Sequence, residues 1–426
     1  MIIVDTALAK REAEGRPVRV GVIGAGYMGR GLVLTIIQSI TGMQASAVYN
    51  RTLSSAAQAY EQAGVDKPEH VTSVAALEAA IEAGRPAIAD DPMLLCEAGN
   101  IDCIVESTGE VEFGAQVTLR AIEHGKHVVL LNAELDAVVG PILKRYADQQ
   151  GVTITNCDGD QPGVVMNLYR WVKSIGYEPL MCGNIKGLQD NYRTPATQKE
   201  FADRVKQKPK MITSFADGTK ISMEMVVVAN ATGFKVGTRG MYGPECKHVT
   251  EAPDLFDLDQ LRDGGMVDYI LGAEPGPGVF VLGYNENPIL QQYASYLKMG
   301  EGPLYTFYVP YHLPHLETPL TVARAVLFED AAAAPLAGPV ADVLTVAKTD
   351  LAEGETLDGI GGYHCFGSID NYKTSTSLNA LPMSLSEGCV LKRSIAKDAI
   401  ISYDDVVVPE GRLVDQLRLE QSKTFG

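Results

Sequence analysis

Val18-Arg19-Val20-Gly21-Val22-Ile23-Gly24-Ala25-Gly26-Tyr27-Met28-Gly29-Arg30 is the stretch from which the rest of this chain is read. An apolar, β-branched run ends in Gly-x-Gly-x-x-Gly, and the amphipathic Leu32-Val33-Leu34-Thr35-Ile36-Ile37 follows. Strand, glycine turn and helix in that order are the context in which this spacing binds a dinucleotide. Gly24 permits the tight turn, Gly26 lets the backbone approach a pyrophosphate, and Gly29 lets the helix close on the strand. The free N–H groups of the helix start, around Tyr27 and Met28, together with the helix dipole, favour an anion there. The plainer alternative is a glycine-rich turn in an unrelated α/β protein.

Outward from this point, strands and helices alternate. Met43–Tyr49 reads as the second strand and ends at Asn50-Arg51-Thr52. That is about twenty residues past the fingerprint, where an acid would hold the ribose 2′-hydroxyl of NAD. No acid is present. Arg51 suits a 2′-phosphate instead, because a guanidinium binds it through two parallel hydrogen bonds. The expected cofactor is therefore NADPH, with Asn50 and Arg51 at its adenosine end; an Arg51 that is merely a solvated loop charge is the alternative. Residues 54–63 and 74–83 read as helices, and Asp91-Pro92 opens another with good capping chemistry. Ile101–Glu106 is a buried strand ending at Ser107-Thr108-Gly109, and 125–131 leads to Asn132-Ala133-Glu134. Both turns fall at the carboxyl ends of parallel strands, so Ser107, Thr108, Gly109, Asn132 and Glu134 are candidate contacts of a nicotinamide-ribose. Gly151–Thr155 completes the sheet. Residues 1–17 read as a helical lead-in.

Length and composition set limits on the remainder. At 426 residues the chain needs more than one core. No apolar run reaches the roughly 18 residues of a membrane span, and the N-terminus lacks a signal-peptide pattern. Seven scattered cysteines without a Cys-x-x-Cys read as reduced thiols, which suits the cytoplasm. The net charge of −17 disfavours nucleic-acid and anionic-membrane partners. An anionic substrate would need a local basic pocket.

The alternation ends at 156. Three consecutive domains are expected: 1–156, a Rossmann-type doubly wound α/β domain; 157–335, an α+β substrate domain; and 336–426, a small β-rich domain. In the middle part, 221–230 reads better as an apolar helix than as a strand. Gly278–Gly283 and Leu304–Val309 read as strands, 291–297 as a short helix, and 310–319 as a rigid loop. Ala323–Phe328 and Ala331–Ala334 read as one helix. The C-terminal part shows short strands and turns, with a charged tail that can fold back as a helix.

On Gly24–Gly29, Val105–Gly109, Gly183-Asn184-Ile185-Lys186-Gly187, Ala216-Asp217-Gly218-Thr219-Lys220, Pro310–Leu313, 347–357 and 381–405, the chain resembles homoserine-dehydrogenase-like proteins that carry a C-terminal SAF-type (β-clip) domain. Within that group it looks most like the deoxyxylulose-phosphate reductoisomerase-like enzymes. The resemblance implies NADPH-dependent conversion of 1-deoxy-D-xylulose 5-phosphate to 2-C-methyl-D-erythritol 4-phosphate, a step of isoprenoid precursor synthesis. Another reductase of a small carbonyl substrate, homoserine-dehydrogenase-like, is the first alternative. A non-catalytic NADP(H)-sensing regulator is the second.

Such a rearrangement needs a cation beside an enediolate and donors for a phosphate. Lys186, Arg193, Lys220 and Arg239 are the cations of the middle part. Lys220, after a glycine turn and flanked by Asp217 and Glu224, is the first candidate to polarise a carbonyl or donate a proton. Lys186, Asp217 and Asp160 complete the catalytic set; Asn191, Arg193, His312 and His315 are candidate substrate contacts. Each lysine has a plain reading as a surface charge. Asp158 and Asp160 can hold a divalent cation through carboxylate oxygens, with an Asp-Gly turn as the alternative. The prolines of the loop around His312 and His315 argue against a helix and hence against a zinc pair. The expected partner is a small phosphorylated substrate, with a second copy of the chain as an expected homo-oligomer.

Overall fold

The computed structural model describes residues 3–426. The chain divides into two compact units, Met1–Gly163 with Leu313–Ala334, and Val164–His312 with Pro335–Gly426.

The first unit is built on a seven-stranded sheet: β1 (Val18–Ile23), β2 (Met43–Tyr49), β3 (Glu69–Val71), β4 (Ala87–Ala89), β5 (Cys103–Glu106), β6 (His127–Leu130) and β7 (Ile154–Asn156). The order is β3-β4-β2-β1-β5-β6-β7, and every pairing is parallel. Helices cover both faces of such a sheet, so its central strands read as unbroken apolar runs. In β1, Val18, Val20, Val22 and Ile23 are all fully buried. From the fingerprint helix Tyr27–Ser39, Leu32, Val33 and Ile36 present one apolar stripe to this sheet. Each such side chain contributes about 1.5–3 kcal/mol on burial. The Rossmann-type α/β architecture read from the sequence is the observed one.

Residues 314–334 correct two expectations. Pro314–Phe328 is a helix, not the rigid loop expected over 310–319. Pro314 occupies its first position, where a missing N–H costs nothing. Pro319 lies inside, but Val322 and Ala323 are buried in the core of the first unit, with Leu320, Val326 and Leu327 packed against it. That burial outweighs one lost hydrogen bond. Ala331–Ala334 is not helical. Asn156 N donates to Ala333 O at 2.8 Å and Ala333 N to Thr155 Oγ1 at 3.1 Å, so the segment covers the edge of β7.

The second unit holds a five-stranded mixed sheet, from β8 (Glu178–Lys186), β9 (Lys235–Val236), β10 (Met266–Leu271), β11 (Gly278–Tyr284) and β12 (Leu304–Val309), in the order β12-β11-β8-β10-β9. The helix Thr219–Thr232 is buried on nearly every side. It packs on β8 and β10 and also on the antiparallel ladder of β13 (Ala341–Ala347) and β14 (Cys365–Asn371). A helix clad all round is what its Met- and Val-rich sequence demands. The β-rich segment expected as a separate domain over 336–426 falls in one compact unit with Val164–His312. Its tail folds back as the helix Leu413–Phe425, anchored by Arg418 on the buried Asp342. Among the described residues, no helix is long and apolar enough to cross a membrane.

Asp136 is buried in the helix Ala133–Gln150, with Asn156 Nδ2 donating to it at 3.3 Å. Burial pushes its carboxyl up to about 7. The folded state therefore holds this proton more tightly than the unfolded chain, so stability falls as pH rises from about 4 to about 7. Asp136→Asn removes that loss. At pH 8 the variant is expected to be more stable by on the order of a few kcal/mol, and at pH 4 nearly unchanged. Urea titrations at the two pH values check this, and an equal effect at both would contradict it.

Candidate functional site

The glycine turn at the end of β1 sits where the order of strands reverses, with β2 on one side and β5 on the other. In open α/β sheets ligands bind at the carboxyl ends of strands at such a point. Gly24 has φ +106°, and a Cβ on Gly29 would lie 1.9 Å from Gly24 O. At Gly26, by contrast, a Cβ would meet nothing within 4 Å. The helix begins there without a side-chain cap, leaving its first N–H groups and the exposed Tyr27 and Met28 open to an anion. Closed behind and open in front, this cradle fits a dinucleotide pyrophosphate.

Both neighbouring strands brace it. Asn50 Oδ1 accepts from Ala25 N at 3.0 Å, and Ser107 Oγ donates to Gly24 O at 2.8 Å. Asn50 and Ser107, expected as cofactor contacts, thus hold the turn with their side chains. Asn132 is fully buried: its Nδ2 donates to Glu106 Oε2 at 2.8 Å and its Oδ1 caps Leu135 N at 3.1 Å. Its side chain too braces the fold. Glu106, which the sequence reading passed over, is the hub. It also accepts from Thr108 N at 2.8 Å and from Thr108 Oγ1, and burial raises its carboxyl above the usual range. Arg51 and Gly109 are exposed, and Thr108 and Glu134 half-buried, at the strand ends.

Asp158, named with Asp160 for a divalent cation, is held by an arginine. Its carboxylate receives Arg324 Nη1 at 2.9 and 3.2 Å, and Arg324 also holds Asp330 at 2.8 Å. Removing one partner of such a buried pair is costly, which marks it as structure. Asp160 is half-buried just before the helix Gln161–Ser174. Among the described residues, no group of three or more His, Cys, Asp or Glu is placed to hold a metal ion. His315 belongs to the first unit, where Gly31 of the fingerprint helix makes room for its ring: a Cβ there would be 2.7 Å from His315 Cδ2. His312 is half-buried in the second unit, as are Asn191 and Arg193.

The second unit gathers the other candidates. Lys186 ends β8, and its Nζ donates to Phe215 O at 2.8 Å. Burial lowers its ammonium below the ordinary lysine range, against Glu224 and Asp217, which raise it. Asn184 Nδ2 donates to Glu224 Oε2 at 3.3 Å. Lys220 is half-buried in the first turn of the helix Thr219–Thr232, just after Gly218 at φ +87°. Arg193 Nε holds Asp190 Oδ2 at 2.9 Å, which leaves Nη1 and Nη2 without a partner among the described residues. Asn191 Oδ1 accepts from Gln189 Nε2 at 3.0 Å.

Asp217, expected beside Lys220 in the chemistry, is instead fully buried against Lys348. Lys348 Nζ donates to Asp217 Oδ2, Arg193 O and Gly362 O, each at 2.8 Å. Burial raises the Asp217 carboxyl, and Lys348 opposes that rise. Lys348 is a residue that the sequence reading missed. It lies 131 positions from Asp217, and the one signal was a lysine closing an apolar strand.

Residues 18–130 match the sequence profile described as oxidoreductase family, NAD-binding Rossmann fold. Residues 159–318 match the one described as oxidoreductase DRL, catalytic domain. Both descriptions are of oxidoreductases, and that over 18–130 is of an NAD-binding Rossmann fold. No curated protein matches the chain. Among solved structures it is similar to a probable dehydrogenase from Thermotoga maritima (12% identity, 74% of this chain and 90% of that one, TM-score 0.43). It is also similar to an NAD-binding oxidoreductase from Klebsiella pneumoniae (15%, 42% and 45%, TM-score 0.30). A third is the 1-deoxy-D-xylulose 5-phosphate reductoisomerase from Zymomonas mobilis in complex with NADPH (20%, 50% and 57%, TM-score 0.34). The chain spans less than two thirds of the last two.

Proposed function

We propose that this oxidoreductase uses NADPH to reduce a small phosphorylated carbonyl compound, and that the specific reaction is the reductoisomerase-like conversion of 1-deoxy-D-xylulose 5-phosphate. The observation that carries the reading is the glycine cradle, closed at Gly29 and open above Gly26, at the reversal of strand order. NADPH supplies the hydride. Lys186, whose ammonium burial makes more acidic than an ordinary lysine, is suited to give a proton. Lys220 stabilises the developing oxyanion, and the open fork of Arg193 takes the phosphate in two parallel hydrogen bonds. The C-terminal β-rich segment is SAF-like in this reading, and Lys348 gives it the task of holding the turns that carry Arg193 and Lys220.

Cofactor choice rests on Arg51, exposed at the end of β2 where no acid stands. Arg51→Ala is expected to weaken NADPH by about ten- to a hundredfold, the scale of a hydrogen bond to a charged group, and to leave NADH unchanged. Fluorescence titration measures both, and equal affinity of the native protein for the two cofactors would rule the choice out.

Following NADPH oxidation across ketose phosphates, aspartate semialdehyde and small keto acids tests the reaction. Turnover confined to ketose phosphates supports it. Turnover of aspartate semialdehyde would move the chain to the homoserine-dehydrogenase-like alternative. Tight NADPH binding without turnover on any of them would leave the sensing regulator.

A further inference from the structure

The helix Thr219–Thr232 has two flanks. Lys220 and Glu224, four apart, share one of them. Ser222 lies on another, which opens into a cleft of about 590 Å³ within the second unit. Of the catalytic and substrate candidates named above, Asn191 alone lines it; Lys186, Arg193 and Lys220 do not. That volume lies in the range of small-molecule sites. Its walls come from the segment after β8, from the turn after β9, from β10, and from Phe366 and Ser368 of β14.

Two charged groups in this cleft keep open valences. Arg239 spends Nε on Asp370 Oδ2 at 2.8 Å, and its Nη1 and Nη2 have no partner among the described residues. Asp398 Oδ1 accepts from Tyr192 Oη at 2.8 Å, and its Oδ2 has no partner among them. The third charge, Asp190, is taken up by Arg193. The turn carrying Arg239 is pinned. Asp268 accepts from Tyr242 N and Gly243 N at 2.9 Å each, Gly240 N donates to Ile369 O at 2.8 Å, and Met241 is held at φ +71°. A non-glycine residue kept in that region by three flanking hydrogen bonds is preorganised, as binding turns are.

A cleft with a free guanidinium fork, a free carboxylate oxygen and an apolar wall at Val346, Phe366 and Ile400 suits one chemistry. We infer that it binds a zwitterionic small molecule of the α-amino-acid class, its carboxylate on Arg239 and its ammonium on Asp398. A dianion such as a phosphate ester would meet Asp398 unfavourably. The ligand would sit against the helix that carries Lys220, yet on the flank turned away from it, so this is a second site and not the substrate site proposed above.

The twenty standard L-amino acids, tested one at a time by calorimetry and thermal shift on the full-length protein, check this. At least one is expected to bind to the native chain and equally to Lys220→Ala. Arg239→Gln and Asp398→Asn should each weaken it tenfold or more, and the corresponding amine and the deaminated acid should not bind. Asp398 sits at φ +66°, a region asparagine tolerates, so that variant keeps the fold. No binding by any amino acid, binding indifferent to both variants, or binding lost in Lys220→Ala would overturn the inference. So would binding of glycerol 3-phosphate that Arg239→Gln abolishes and Asp398→Asn strengthens. The NADPH screen reads Lys186 and Lys220, whereas amino-acid binding reads Arg239 and Asp398, so the two readings fail separately.

Discussion

Lys348→Met is expected to destabilise the second unit by about 3–5 kcal/mol, because it leaves the buried Asp217 carboxylate without its cation. Asp217 is 0% exposed and Lys348 3% at their side chains, and three acceptors at 2.8 Å lose their donor at once. Urea unfolding followed by Trp171, the one tryptophan and a residue of that unit, reads the loss. Lys348→Met with Asp217→Asn should recover more than half of it, since a neutral amide still accepts from Thr219 N, now 2.9 Å from Asp217 Oδ1, and no charge is left buried. A single-variant cost below about 1 kcal/mol would show a pair no stronger than a surface one. The same ammonium holds Arg193 O, so kcat of the single variant should fall even where the protein remains folded.

The chemical step carries the other large effect. Lys220→Ala and Lys186→Met are each expected to lower kcat by about 10²-fold or more while NADPH still binds. They differ in pH dependence. Burial lowers the Lys186 ammonium, so its proton is lost as pH rises through a value below that of an ordinary lysine. A proton donor of that kind puts a falling limb on the alkaline side of the kcat profile, and Lys186→Met should remove the limb along with the rate. Lys220→Arg should rescue little, because a planar guanidinium does not replace a compact charge. Near-native turnover in either alanine or methionine variant would return that lysine to the surface charges. These measurements need only the substrate that the NADPH screen identifies.

The first unit was legible because its signals are local. The glycine spacing, the β-branched strands and the Asp91 cap, which accepts from Met93 N at 2.9 Å, all act within a few residues. The apolar helix over 219–232 was legible for the same reason. The partners of Asp158 and Asp217 and the helix over 314–328 were not legible, and the cause is common to them. Asp158 finds Arg324, Asp217 finds Lys348, and the proline-bearing helix finds the core of the first unit, each far along the chain. A carboxylate beside a glycine looks the same in sequence whether it awaits a cation or already has one. Asn50, Ser107 and Asn132 were placed correctly at the strand ends, but which way a small polar side chain turns there depends on backbone groups from neighbouring strands.

The return of Leu313–Ala334 to the first unit bears on how the protein is made. The ribosome delivers the sheet, the fingerprint helix and the glycine turn early, then the first stretch of the other unit, and only afterwards Val322 and Ala323, which belong to the early core. At about 5–20 residues per second, roughly ten to thirty seconds separate the two deliveries. For that interval the apolar side chains of the first unit that await them face water or a chaperone. The protein is therefore expected to tolerate neither truncation after 163 nor expression as two fragments cut at a single point.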